Sequence, residues 1–192
     1  LVPGDTNAAM DVFVHDRQTG TTERISVAWD GTQVNAESDQ PSISADGRYV
    51  AFGSDATNLV PGDSNGSGDI FVHDLQTART TRVSVASDGS QGLSGNAWFS
   101  SISSDGRFVA FGSFAGNLVP GDTNGTWDVF VHDRQAGVTW RVSQATDGTQ
   151  AESSEQSSEQ AKLDKDQAER ESAERAAREK REKELAEAEA LR

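Results

Sequence analysis

Cysteine is absent from the 192 residues, and basic residues are scarce beside acidic ones. Without cysteine the chain has no disulfide framework, no cysteine-ligated zinc site and no thiol nucleophile. Its 17 basic and 31 acidic residues give a net charge of −14, so it lacks the basic face on which nucleic-acid binding depends. No apolar run approaches the roughly 18 residues that a membrane-spanning helix needs. We therefore expect neither nucleic-acid binding nor insertion into a membrane.

The composition changes sharply near residue 150. Residues 1–150 contain 18 acids, nearly all aspartate, and eight arginines, and they hold every glycine, proline and aromatic residue of the chain. Residues 151–192 contain 13 acids and nine bases, including every lysine, on a background rich in alanine. The first composition is typical of short strands and turns, and the second of a helix. We expect two domains, at 1–150 and 151–192.

Residues 1–150 consist of a repeated unit. The motif LVPGD begins at residues 1, 59 and 118, and S-I-S-x-D-G-R-x-V-A-F-G-S begins at residues 42 and 101. The offset between copies is 58 residues as far as Gln91 and 59 residues from Ser101 onward. One residue is therefore inserted in the glycine- and serine-rich segment between these two positions, which predicts a surface loop there and packed elements on either side.

Each unit contains four strand-forming segments. In the second copy they are residues 41–44, 49–54, 69–74 and 80–86, with an Asp-Gly turn between the first two and a long loop before the third. The two middle segments are apolar on both faces, which predicts burial on both sides. A repeated four-stranded antiparallel unit predicts an all-β fold made of propeller blades, with a β-sandwich or a meander as the alternative.

The fourth segment of each unit alternates between apolar and polar residues. In the first copy Ile25 and Val27 alternate with Arg24 and Ser26. This period of two predicts a half-exposed edge strand whose arginine and serine face solvent.

The motifs together resemble the WD40-like, or TolB-type, β-propeller repeat. The shared pattern is a Ser-x-Asp-Gly-Arg hairpin, an apolar-Ala-Phe strand, a strand that begins and ends with Asp, and an Arg-apolar-Ser strand. The resemblance covers residues 1 to about 150. It implies a binding platform, an envelope component or the gating domain of a serine peptidase, and it alone implies an extracytoplasmic location, periplasmic or secreted.

The strand count gives about two and a half blades, namely half a blade followed by full blades at 41–86 and 100–143. Closed propellers usually have about four to eight blades. We expect either a fragment of a larger protein or an open array that self-associates through its exposed blade edges.

A recurring Asp-x-Asn-Gly-x-x-Asp loop supplies candidate metal ligands. Oxygen ligands at alternating positions, with a glycine for the sharp turn, are typical of calcium loops. The same pattern is typical of an Asx turn, in which Asp and Asn side chains cap local amides, so both interpretations stay open. The candidate ligands are Asp63, Asn65 and Asp69 in the second copy, Asp122, Asn124 and Asp128 in the third, and more weakly Asp5, Asn7 and Asp11 in the first, where Ala8 replaces the glycine.

No pattern in the sequence predicts catalysis. A G-x-S-x-G nucleophile elbow, a phosphate-binding loop and an H-E-x-x-H motif are all missing. His15, His73 and His132 occupy one repeat position, each before an aspartate, which predicts separate strand-end histidines bonded to a turn or to that aspartate. We expect no catalytic residues in this chain.

Trp98, Trp127 and Trp140 differ from their counterparts in the other copies. Trp98 and Trp127 fall in predicted loops, where they would form a ligand-binding rim on one face of the propeller. Packing between blades is the alternative.

The second domain is predicted to be a charged helix. Opposite charges recur four residues apart, as in Glu171 and Arg175, and support a continuous helix. Its few apolar residues keep no common seam, which favours a solvated helical spacer over a coiled coil.

We therefore expect a non-enzymatic β-propeller scaffold or binding module of a bacterial envelope or secreted protein, which recognises a protein partner or ligand. One alternative is the recognition or gating propeller of a larger serine hydrolase or peptidase. The other is a calcium-stabilised surface module.

Overall fold

The computed structural model describes residues 2–150, and the predicted helical spacer at 151–192 lies outside the described residues. Among residues 2–150, no helix is long and apolar enough to cross a membrane. The described elements are all strands: β1 Phe13–Asp16, β2 Thr21–Arg24, β3 Ser38–Ile43, β4 Tyr49–Ser54, β5 Asp69–Asp74, β6 Arg79–Arg82, β7 Ala97–Ile102, β8 Phe108–Ser113, β9 Asp128–Asp133 and β10 Val138–Arg141.

The strands form three antiparallel sheets in chain order. A two-stranded sheet of β1 and β2 precedes two four-stranded sheets, β3-β4-β5-β6 and β7-β8-β9-β10. Within each sheet, consecutive strands of the sequence pair with each other. The all-β class is thereby confirmed, and the sheets match the half blade and two full blades expected from the repeats.

The hairpin between β3 and β4 follows directly from the Ser-x-Asp-Gly-Arg motif. Asp46 Oδ1 accepts hydrogen bonds from the hydroxyl of Ser44 and from the amide of Arg48 at 3.0 Å. Gly47 has a φ of +71°, which a residue without a Cβ adopts at little cost. The turn is therefore encoded locally, by an aspartate that caps it and a glycine that permits it.

The hydrophobic core lies between the sheets. Val50, Phe52 and Phe71 face the two-stranded sheet, while Ala51 and Ile70 face the sheet of β7–β10. The expectation that the middle strands are buried on both faces is confirmed. Burying one such large apolar side chain stabilises the fold by roughly 1.5–3 kcal/mol.

The expectation for the fourth strand is right about a half-exposed strand at the sheet edge, but wrong about the arginine and serine. β2 ends at Arg24, and Ser26 beyond it is fully buried instead of facing solvent. The Arg24 side chain is also largely buried, since its guanidinium reaches the Asp11 carboxylate at 3.2 Å. The exposed face of β2 is formed by Thr21 and Glu23, while the arginine and serine have polar partners inside the repeat.

The first strand of each full sheet begins earlier than predicted and contains a bulge. The pairing of β3 with β4 shifts between Asp39 and Ser42, and that of β7 with β8 shifts between Trp98 and Ser101. Within each bulge one residue has a positive φ, Gln40 in β3 and Phe99 in β7. A bulge of this kind bends the strand and redirects its side chains.

The packing between the two full sheets predicts the effect of a core truncation. We expect Phe111→Ala to lower the free energy of unfolding by about 3–5 kcal/mol, because the buried ring leaves a cavity between the sheets. Urea unfolding followed by circular dichroism measures this change. Leu93→Ala, at an exposed position, serves as the control and should change the free energy by less than about 0.5 kcal/mol. Equal losses in both variants would contradict the assignment of this core.

Candidate functional site

Each Asp-x-Asn loop folds around the arginine that ends the fourth strand of its unit. In the second copy Arg82 Nη1 donates to Asp63 Oδ1 at 2.9 Å and to Asp69 Oδ2 at 3.1 Å. The hydroxyl of Ser84 donates to the other oxygen of Asp69 and also accepts the amide of Ile70 at 3.1 Å. The long loop, the start of β5 and the segment after β6 are thus joined by one polar cluster.

The same cluster recurs in the other copies. Arg24 Nη1 lies 3.2 Å from Asp11 and 3.7 Å from Asp5. Arg141 Nη1 lies 3.3 Å from Asp122 and 3.7 Å from Asp128. In the first copy Gln33 Nε2 donates to Asp5 at 3.0 Å, and in the third Gln150 Nε2 donates to Asp122 at 3.1 Å.

Burial sets the electrostatics of these clusters. Burial and the neighbouring Asp69 carboxylate raise the pKa of Asp63, against the opposing effect of Arg82. Burial and the Asp128 carboxylate likewise raise the pKa of Asp122. Two carboxylates in one buried place repel each other, and the arginine between them offsets that repulsion.

The predicted calcium ligands are therefore brought together, but an arginine guanidinium lies between the two aspartates of each loop. The asparagines form Asx turns: Oδ1 of Asn65 accepts the amide of Ser67, and Oδ1 of Asn124 accepts the amide of Thr126, both at 3.1 Å. Within residues 2–150, no group of three or more His, Cys, Asp or Glu side chains is placed to hold a metal ion. Calcium binding stays a prediction, and an ion at this place would compete with the guanidinium.

The three histidines lie in separate sheets and do not form a common site. Nδ1 of each is hydrogen bonded to a threonine hydroxyl on the fourth strand, at 2.8 to 2.9 Å: His15 to Thr22, His73 to Thr80 and His132 to Thr139. The expected bond to a turn or to the adjacent aspartate is therefore replaced by one across the sheet. Burial lowers the pKa of His73 and His132.

The sequence patterns did not predict a second charged pair, at the opposite end of each full sheet. Arg48 donates to Asp74 through Nε at 2.9 Å and Nη2 at 2.8 Å, and Arg107 pairs with Asp133 in the same way. The arginine holds the pKa of each aspartate well below its usual range. The sequence does contain a signal for this pair, because the hairpin arginine and the strand-end aspartate recur 26 residues apart in both copies.

Four aromatic side chains form a cluster, here called the aromatic patch: Trp98, Phe99, Phe114 and Trp127. Trp127 stacks on Trp98, with ring centres 5.8 Å apart, and its edge contacts Phe114 at 5.0 Å and Phe99 at 5.9 Å. Phe99 is 69% exposed and Phe114 is 48% exposed. Trp127 lies in a loop as predicted, but Trp98 lies within β7 and not in a loop, and the two phenylalanines were not predicted.

Gly112 forms the floor on which Trp127 rests. A Cβ at Gly112 would lie 2.0 Å from the indole ring, so any larger residue would displace it. Gly53, the counterpart in the preceding sheet, faces the Asp39 side chain instead. Trp140 belongs elsewhere, packed edge-on against Phe108 with ring centres 6.1 Å apart.

No family model and no curated protein matches the chain. The described fold is similar to three solved structures of β-propeller proteins. Against TolB from Acinetobacter baumannii the identity is 21% and the TM-score 0.43, over 72% of this chain and 27% of that one. Against a putative TolB from Agrobacterium tumefaciens the identity is 21% and the TM-score 0.44, over 68% of this chain and 40% of that one. Against the tricorn protease the identity is 17% and the TM-score 0.46, over 73% of this chain and 11% of that one. The chain therefore spans less than half the length of each of these three proteins.

The buried arginine of the second copy predicts a large loss of stability on truncation. We expect Arg82→Ala to lower the free energy of unfolding by about 3–5 kcal/mol, because Asp63 and Asp69 are left without their cation. Chemical denaturation measures the loss. Arg79→Ala, an exposed arginine on the same strand, is the matched control and should cost less than about 0.5 kcal/mol.

Calcium adds a second readout to the same pair of variants. If the aspartates of this loop bind the ion, calcium should raise the melting temperature of Arg82→Ala more than that of the parent chain, by mass action. An identical response to calcium in both proteins would contradict binding at this loop.

The buried histidines predict a loss of stability in mild acid. Because burial lowers the folded-state pKa below the unfolded value near 6.5, the unfolded chain takes up protons first as the pH falls. The neutral rings therefore contribute fully above about pH 7, and that contribution is lost as the pH falls below about 6.5. Unfolding at a series of pH values measures this slope. Replacing both His73 and His132 by Gln should flatten it, and an unchanged slope would contradict the assignment.

Proposed function

We propose that residues 1–150 act as a recognition module of the β-propeller type, without catalytic activity of their own. The exposed aromatic patch carries this proposal. It lies at one end of the sheets, which we call the loop end, and the repeated scaffold holds it there.

The loop end is defined by strand register. Ser38 at the start of β3 pairs with Ser54 at the end of β4, which in turn pairs with Asp69 at the start of β5. Arg82 at the end of β6 lies at the same end, opposite Phe71. The long loops and the connections between sheets therefore share the loop end, and the short hairpin turns share the opposite end, which we call the turn end.

The division between scaffold and variable residues supports recognition over catalysis. The recurring arginines hold aspartates in ion pairs, as Arg82 and Arg107 do, and the recurring histidines hold threonine hydroxyls, all within one unit. Several residues that differ between the two full sheets lie at the loop end, and Phe99 and Phe114 among them are exposed aromatic side chains. Exposed aromatic side chains are the residues that most often anchor a partner at an interface.

Other expectations stay predictions. These are the extracytoplasmic location, the gating role in a larger hydrolase, membership of a larger ring and self-association through blade edges. The first two come from the resemblance of the repeats, and the last two from the count of strands.

Selection of binding peptides tests the proposal. Displayed peptides selected on the 192-residue chain should lose at least about tenfold in affinity for Phe114→Ala at the loop end. They should keep their affinity for Gln76→Ala at the turn end, where the side chain is equally exposed. We also expect no labelling by a fluorophosphonate, which reacts with activated serines.

Peptides that depend on Gln76 and ignore Phe114 would contradict the use of the loop end. Labelling of the chain by the fluorophosphonate would contradict the absence of catalysis.

A further inference from the structure

Two of the four positions of the aromatic patch, those of Trp98 and Phe114, are acidic in the preceding sheet. The two full units share most of their strand sequences, including the hairpin motif. At the loop end they differ as a group. The paired positions, second copy first, are Glu37 and Asn96, Asp39 and Trp98, Gln40 and Phe99, Asp55 and Phe114, and Gly68 and Trp127. One sheet therefore presents carboxylates at the place where the next presents aromatic rings.

Trp98 forms the boundary between these two surfaces. On one side it lines a cavity of about 30 Å³ together with Glu37, Asp39 and Asp55. On the other side it lines a cleft of about 290 Å³ with Phe114 and the loop before β7. The acidic cavity and the aromatic cleft thus share one indole wall.

The indole also lies against the preceding sheet directly. A Cβ at Gly68 would lie 3.6 Å from Trp98 Nε1 and 2.5 Å from an Asp55 carboxylate oxygen. The absence of a side chain at Gly68 therefore leaves room for the indole edge and the carboxylate to lie close together. At the matching position of the next sheet, Trp127 places an indole ring against Gly112 instead.

Glu37 and Asp55 beside Trp98 are exposed and Asp39 is half-buried, so these carboxylates differ from the buried aspartates that hold arginines. Within residues 2–150, none of Glu37, Asp39 and Asp55 forms an ion pair, whereas Asp63, Asp69 and Asp74 each hold an arginine. Partial burial and the nearby Asp55 carboxylate raise the pKa of Asp39. A cation placed here would relieve this repulsion.

We propose that Trp98, the rest of the aromatic patch and the carboxylates of Glu37, Asp39 and Asp55 form a binding surface for an arginine or lysine side chain of a partner protein. The charged head lies at the exposed carboxylates of Glu37 and Asp55, outside the small acidic cavity, and the stem lies along the aromatic cleft. Such side chains combine an apolar stem with a cationic head, which matches both halves of the surface. A cation over an indole face contributes a further attraction.

This proposal rests on the proposed recognition function and commits to the chemistry of the occupant. Aromatic surfaces also stack on neutral sugars, but a sugar would leave the like charges of Asp39 and Asp55 uncompensated. Charge complementarity therefore favours the basic side chain, and sugar binding becomes an outcome of the test.

The test uses the 192-residue chain and two acetylated, amidated peptides of equal length, one alternating glycine with arginine and the other glycine with glutamine. Calorimetry and tryptophan fluorescence at low salt should show binding of the arginine peptide only, and high salt should weaken it. Trp98→Ala should weaken binding at least about tenfold, and so should Asp39→Asn combined with Asp55→Asn. Trp98→Phe, which keeps a ring, should retain part of the affinity.

Two controls separate this surface from general effects. Trp29→Ala removes a tryptophan that is 65% exposed in a different cleft, and should leave binding unchanged. Asp30→Asn combined with Asp147→Asn removes the same charge from exposed loops and should also leave it unchanged. Circular dichroism establishes that each variant is folded before its affinity is compared.

Several results would overturn the proposal. They are equal binding of the glutamine peptide, affinity that survives Trp98→Ala, and equal weakening in the Asp30 and Asp147 control. Binding of maltohexaose that depends on Trp98 and not on the carboxylates would assign the surface to sugars instead. If peptides selected on the loop end show no enrichment in arginine or lysine, this inference fails and the proposed function stands.

Discussion

A buried guanidinium held between two carboxylates fixes the geometry of each repeat. Arg82 ends β6, Asp69 begins β5, and Asp63 lies in the loop that joins β5 to the preceding strand. One side chain therefore ties three separate parts of the chain together at the loop end. Removing charges from water is costly, and only the good geometry of several bonds offsets that cost. The loop is then able to place Leu59 in the core, where it is fully buried.

At the loop end, the arginine–aspartate clusters are therefore the same in both full units, whereas the residues between these clusters differ in their chemistry. The cluster around Arg82 recurs as the cluster around Arg141, so both long loops leave their sheets in the same way. The side chains between these anchors can change without disturbing the anchors themselves. A binding surface on such a support needs little ordering when a partner arrives, which favours affinity.

The sequence predicts the middle strands well because their information is local. β4 and β5 have the predicted bounds, since each is apolar on both faces and is bordered by turn residues. The prediction that Arg24 faces solvent is wrong because its partner Asp11 lies 13 residues away in the sequence, and an alternating pattern gives no information about such a partner. β3 begins at Ser38, ahead of the predicted residue 41, because a bulge interrupts the pairing that its pattern implied.

The candidate site was only half predictable for a related reason. Comparing the copies singles out Trp98 and Trp127, but nothing in the sequence shows that Trp98 contacts the acidic residues of the preceding sheet. That contact depends on how neighbouring sheets pack, and sheet packing follows from side chains distributed over both units. The calcium interpretation had the same limit, because the arginine between the aspartates lies outside the loop motif.

The faces of the last described sheet show how stability is shared along the repeats. Val129 and Val142 are 38% and 44% exposed, whereas their counterparts Ile70 and Val83 are buried against the next sheet. Each sheet is thus stabilised mainly by the sheets beside it, as in a one-dimensional row with nearest-neighbour coupling. In such a row the central member is the most protected. Hydrogen exchange should therefore be slowest in β4 and β5 and faster in β8 and β9, whose sequences are nearly the same.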